Sequence, residues 1–171
     1  PPPRPPRRAA PAPDHTLGPE AAPTPVAGHG SYTCPYCHAA HAVIADLRDR
    51  FGERMRYVFR QRPRSNDPMA DRTAQFAEFA FAATGRFWPV HDALMKRGPE
   101  FADGALDRIA DELAIPAPEA EPAALAAGTV RVAEDRASAA RSGAALTPTF
   151  FINGRRYEGA WDEASLSEAM M

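Results

Sequence analysis

The chain has 171 residues, 44% of them apolar and 25% charged, enough for one domain with a hydrophobic core and too few for two large ones. A formal charge of −2 excludes a general nucleic-acid binder on composition, since tracking phosphates needs a basic excess. The two cysteines, Cys34 and Cys37, are too close together to staple distant parts of a fold, so they point to chemistry and not to architecture.

Residues 1–27 are dominated by Pro and Ala, with Arg4, Arg7 and Arg8 among them, and read as a linker or terminal arm. The segment from Pro23 to Gly30 is expected to contribute a poor edge strand at most, because Pro is excluded from central strands. A domain over 28–171 follows. Pro35 opens a helix in which Ile44, Leu47 and Phe51 share one face. M-R-Y-V-F-R reads as a strand with Tyr57 and Phe59 on one side and Val58 on the other, and Q-R-P-R-S-N-D-P as a loop. Helical patterns then cover Asp71 to Thr84, two stretches separated by Pro99, and Pro118 to Ser142, the last interrupted by Gly128. Together they form a helical insertion at about 66–142. Thr149 to Ile152 and Arg155 to Glu158 form a hairpin around Asn153-Gly154, and a helix from Asp162 to Met170 ends the chain. The fold class is α/β, with helices outweighing a small mixed sheet. No apolar run reaches the roughly 18 residues of a membrane span, and no signal-peptide core is visible. The absence of an initial Met leaves room for a removed signal or a larger upstream partner.

The chemistry concentrates in S-Y-T-C-P-Y-C-H-A-A-H at 31–41. A CxxC at a helix start puts its first cysteine among free backbone N–H groups and near the positive end of the dipole, which favours thiolate. Cys34 is then the attacking residue and Cys37 the resolving one, with Pro35 restricting the turn and Tyr36 flanking it. His38 as an imidazolium would further favour thiolate. The same letters fit c-type haem attachment, with His38 as proximal ligand and Met55, Met69 or Met95 opposite, and a zinc clip of Cys34, Cys37, His38 and His41. Usual zinc knuckles are separated in sequence, and a small cytochrome has no use for the terminal hairpin. His91, Phe87 and Trp88 read as core residues.

D-H-T-L-G-P-E-A-A-P, Y-T-C-P-Y-C, V-F-R-Q-R-P, G-R-F-W-P-V-H-D-A-L-M and T-P-T-F-F-I-N-G-R-R-Y-E-G-A occur in the order that resembles the DsbA-like thiol–disulfide oxidoreductases. The resemblance implies a thioredoxin-like fold with an inserted helical subdomain and a C-terminal β-hairpin plus helix. It also implies a cis Pro148 opposite the dithiol, with Thr147 offering its backbone to an extended substrate segment. No cofactor is implied beyond the redox-active cysteine pair. The implied partners are cysteine-containing substrate proteins and a redox partner protein or small thiol, acting on a monomeric domain. The implied setting is the periplasm or cell envelope, or a cytoplasmic face where such a domain is fused behind a membrane sodium/proton antiporter. Cys-Pro-Tyr-Cys resembles the oxidising side of the family, which implies oxidase or isomerase chemistry. The alternative of another class is a non-catalytic thioredoxin-fold domain, binding or regulatory, with a dormant disulfide. This sequence departs from the family pattern at Gly28, where an acid aligns, at Ser31 in place of Asp, and at His38 and Leu146 in place of Gly.

Overall fold

The protein is seen in a computed structural model that describes residues 14–171. Residues 1–13 of the Pro/Ala-rich arm lie outside the described residues. The rest of that arm is corrected by the sheet. His15–Leu17 (β1) pairs antiparallel with Met55–Gln61 (β3), and Thr24–Gly30 (β2) runs parallel to β3 on the other side. Thr149–Ile152 (β4) pairs antiparallel with β2, and Arg155–Tyr157 (β5) with β4, giving the order β1-β3-β2-β4-β5. The segment read as an edge strand is therefore the centre of the sheet.

The reason lies in where its proline and glycines fall. Pro25 sits one residue before pairing with β4 begins at Val26, so its missing N–H coincides with the strand's first residues. Its carbonyl still accepts the Asn153 N–H at 3.0 Å. Gly28 and Gly30 make room for aromatic rings. A Cβ at 28 would meet the Tyr57 hydroxyl at 2.8 Å and the Phe150 ring at 3.2 Å, and one at 30 would meet the Phe59 ring at 2.9 Å. Glycine here is a packing requirement, not a flaw in the strand.

Period-two alternation divides the sheet. Val26, Tyr57, Phe59, Phe150 and Ile152 face the main core, and Ala27 and Phe151 face a smaller cluster with Ala139 and Ala144. Pro35–Phe51 (α1) buries Cys37, Ala40, Ile44, Leu47 and Phe51, the face its sequence spacing predicts. Glu163–Met170 (α6) packs beside it, after Asp162 caps its first turn through Ser165 N–H. The insertion consists of Pro68–Thr84 (α2), Trp88–Lys96 (α3), Ala105–Leu113 (α4) and Pro122–Ser142 (α5). α2 starts three residues before the expected Asp71, because Pro68 suits the first turn and Asp67 accepts the Met69 and Ala70 N–H groups. α5 runs unbroken through Gly128, whose missing side chain lets the Phe79 backbone of α2 approach.

A buried polar network joins insertion and sheet. Glu78 on α2 accepts from His15 at 2.7 Å and from the Gln61 amide at 3.0 Å, and Arg131 on α5 stands 3.6 Å away. Asp135 accepts the Gln61 backbone N–H at 2.9 Å. The Gln61 amide also donates to the Tyr32 hydroxyl, which in turn meets His91 Nδ1 at 2.8 Å. Buried charges are tolerated when paired and hydrogen-bonded in this way.

Candidate active site

Cys34 is the N-cap of α1, with extended backbone, and Pro35 follows as its first helical residue. Pro35 has no N–H to leave unsatisfied, and the Cys37 and His38 N–H groups donate to the Cys34 carbonyl at 3.0 and 3.2 Å, closing the first turn. Both cysteines are free thiols. Across from them the Thr147–Pro148 peptide is cis, and the Thr147 carbonyl oxygen lies 3.5 Å from Cys34 Sγ.

The two thiols are driven apart electrostatically. A hydrogen bond from the Cys37 thiol lowers Cys34 to about 5, with help from Thr147 and from the Cys37 and Tyr36 backbones, against the opposing effect of burial. Cys37 moves strongly upward, first because it donates to Cys34 and second because it is buried. One sulfur is thereby poised as thiolate and the other keeps its proton.

The surrounding loop is held by side chains from the insertion and from β3's end. Thr33 Oγ1 donates to Asp67 Oδ2 at 2.8 Å, linking the residue before Cys34 to the cap of α2. Arg62 donates through Nε to the Ala144 carbonyl at 2.9 Å and through Nη2 to the Ala145 carbonyl at 3.1 Å, which fixes the approach to Thr147. These supports were not legible in the sequence, since Q-R-P-R-S-N-D-P carries only turn signals.

Of the residues singled out by sequence, Cys34, Cys37, Thr147 and Pro148 converge. Tyr36 points outward, 63% exposed, with its ring 6.1 Å from that of Trp161. His38 turns elsewhere. Its Nδ1 meets the Met95 carbonyl at 2.7 Å and its Nε2 the Tyr32 carbonyl at 2.5 Å, so it ties α1 to the end of α3 and to the loop before the dithiol. Both His38 nitrogens are thus engaged, which leaves neither for a haem iron. The four residues of the sequence-level zinc clip do not gather. The group of three metal-capable side chains found among the described residues is His41, His91 and Asp92, with ligand atoms within 4.8 Å of one another. Phe87 and His91 are buried and Trp88 donates Nε1–H to the Thr16 carbonyl, as core positions.

The family model described as thioredoxin matches residues 11–170. The chain belongs to the thioredoxin family. Its fold resembles BdbD from Bacillus subtilis, with a TM-score of 0.78, 20% identity and coverage of 92% of this chain and 90% of that one. A thioredoxin-like oxidoreductase from Silicibacter pomeroyi gives 0.77 at 26% identity, covering 91% and 89%. The thiol–disulfide exchange protein alpha-DsbA2 from Wolbachia pipientis gives 0.78 at 19%, covering 92% and 85%. The thioredoxin fold with an inserted helical subdomain is thus that of the DsbA-like proteins, and Cys34-Pro35-Tyr36-Cys37 is consistent with a thiol–disulfide active site. Among curated proteins the chain is 46% identical over 162 residues to the Na(+)/H(+) antiporter NhaA of Nitrosospira multiformis, covering 92% of this chain and 26% of the relative. It is 37% identical over 159 residues to NhaA 1 of Salinispora arenicola, covering 92% and 24%. The chain therefore spans about a quarter of the length of the curated relatives it matches. Among the described residues no helix is long and apolar enough to cross a membrane.

Proposed function

We propose that the domain is a protein thiol–disulfide oxidoreductase in which Cys34 attacks and Cys37 resolves. The observation that carries this reading is the placement of Cys34 at the start of α1, its Sγ 3.5 Å from the Thr147 carbonyl, with Cys37 buried one turn on; the same arrangement lowers Cys34 to about 5 and raises Cys37. Thr147 supplies a backbone carbonyl beside the reacting sulfur, suited to main-chain hydrogen bonds with an extended substrate segment. Tyr36, between the two cysteines, and Leu146, next to Thr147, are 63% and 79% exposed and offer apolar surface to a polypeptide substrate. Stabilising the Cys34 thiolate favours the reduced form, which makes the disulfide the better oxidant and supports oxidase or isomerase chemistry. The test is exchange with a reduced, unfolded cysteine-containing protein. Wild type is expected to transfer its disulfide and Cys34→Ser to be inactive; equal turnover by both would overturn the reading.

The antiporter relatives support a second element. We propose that in the intact protein this domain is joined to a membrane transporter, which places it at the cell envelope. Membrane fractionation of the native protein with an antibody to this domain tests that. Recovery in the membrane fraction at a mass well above that of 171 residues supports it, and a free protein of about this mass contradicts it.

A further inference from the structure

Resolution of a mixed disulfide requires Cys37 to lose its proton, and the thiol is 4% exposed, so burial disfavours its thiolate and solvent has little access to it. Behind Cys37 lies a cavity of about 20 Å³, lined among others by Cys37, His41, Tyr57, His91 and Pro148. That is room for one water, which needs at least two polar neighbours. Resting on the oxidoreductase reading above, we propose that His41 takes the Cys37 proton through this cavity during resolution.

The remaining titratable groups around the cavity are unsuited to the task. His91 is 2% exposed, its Nδ1 is engaged by the Tyr32 hydroxyl, and burial, with the nearby His41, His15 and His38, drives it well below the ordinary histidine range. The Tyr57 phenol is pushed upward, first by burial and then by Cys37, and so keeps its own proton. The His29 ring packs edge-on against Phe151, which faces the smaller core cluster on the other side of the sheet. His41 alone of these joins the cavity to the outside, with 25% of its side chain exposed and Nε2 3.6 Å from Asp92 Oδ1. It lies one helical turn after Cys37 on the same face of α1. The groups acting on it are His38 and Arg48 of α1 and His91, Asp92 and Lys96 of α3. Burial is the largest influence and holds His41 below its ordinary value, in the neutral form that a base requires, while Asp92 steadies the imidazolium once formed.

The step balances without a further reagent. The Cys37 S–H bond breaks and its proton passes through the cavity to His41. The Cys37 thiolate attacks Cys34 Sγ, the Cys34–Cys37 bond forms, and the bond from Cys34 to the substrate sulfur breaks, its electron pair leaving on the substrate thiolate. The dithiol is oxidised, the substrate disulfide is reduced, and His41 gives its proton to solvent past Asp92. Run in reverse, the same imidazolium reprotonates Cys37.

Rapid mixing of the reduced protein with an aromatic disulfide whose thiolate absorbs visible light separates the steps, since attack by Cys34 releases one thiolate and resolution by Cys37 a second. His41→Ala and His41→Gln are expected to leave the first phase unchanged and to slow the second by roughly tenfold or more near neutral pH. The pH profile of the second phase should lose its histidine inflection, and His41→Glu or added imidazole should restore speed. A second phase unchanged in rate and profile overturns the proposal, as does slowing that neither pH, imidazole nor His41→Glu affects. A wild type with no first phase removes the oxidoreductase reading and this inference with it; a normal first phase with an unaltered second removes only the inference.

Discussion

Cys34 Sγ and the Thr147 carbonyl oxygen stand 3.5 Å apart although 113 residues separate them in sequence. The contact joins the start of α1 to the chain entering β4, and these are neighbours because β2, which leads into α1, pairs with β4. The position of the Cys34 sulfur against the candidate substrate-binding backbone is thus set by the central strand.

The Cys34 titration follows from its partners. Thiolate absorbance of the reduced protein should titrate with a midpoint of about 5, against an ordinary thiol value of 9.0. Because the folded value is the lower one, the reduced fold's gain from Cys34 is complete above the ordinary thiol range. It declines as pH falls and is gone once pH drops through about 5. Cys37, shifted upward, opposes this only above the ordinary thiol range. Since the Cys37 thiol is the largest cause of the lowering, Cys37→Ala should raise the Cys34 midpoint, as followed by alkylation rate against pH.

Arg62 holds the segment before Thr147 through two carbonyls. Arg62→Ala should cost about 1.5–3 kcal/mol of stability, the range for hydrogen bonds to a charged group. It should also reduce exchange several-fold by loosening that segment. Urea unfolding and the substrate assay, run together, check both, and unchanged exchange would show that the segment holds its place without Arg62.

Glu78 is the hub of the buried network, with His15, Gln61 and Arg131 around it. Glu78→Ala removes the carboxylate and leaves Arg131 buried, so the expected loss is about 3–5 kcal/mol in denaturant unfolding. A loss below about 1 kcal/mol would mean that the network contributes no more than a surface pair.

At Gly128 a Cβ would stand 2.9 Å from the Phe79 backbone nitrogen, and backbone cannot swing aside as a side chain can. Gly128→Ala is expected to destabilise by about 1–3 kcal/mol through overpacking, despite the better helix propensity of Ala. Thermal unfolding of the variant decides which effect wins.

Much of this was legible in the sequence because local rules govern it. The face of α1, the alternation of Tyr57 and Phe59, and the Asn153-Gly154 hairpin each follow from short-range periodicity or turn chemistry, and Asn153 and Gly154 both adopt positive φ as such a hairpin needs. The central place of β2 is hidden in the sequence because its glycines are explained only by Tyr57, Phe59 and Phe150, which reach it from other strands. β1 carries no sequence signal, for three residues give no period. Adjacency in sequence sets His38 beside Cys37 but does not encode where its ring goes, which is to the carbonyls of Tyr32 and Met95. Arg62, Asp67 and the cavity neighbours of Cys37 depend on tertiary placement, which spacing does not encode.

The division of labour between the cysteines is tested most directly by trapping. Cys37→Ala mixed with a disulfide-bearing peptide should accumulate a covalent adduct on Cys34, identified by mass spectrometry of the digested protein and released by reductant. Failure of that variant to form the adduct, while Cys34→Ala forms one on Cys37, would contradict the assignment.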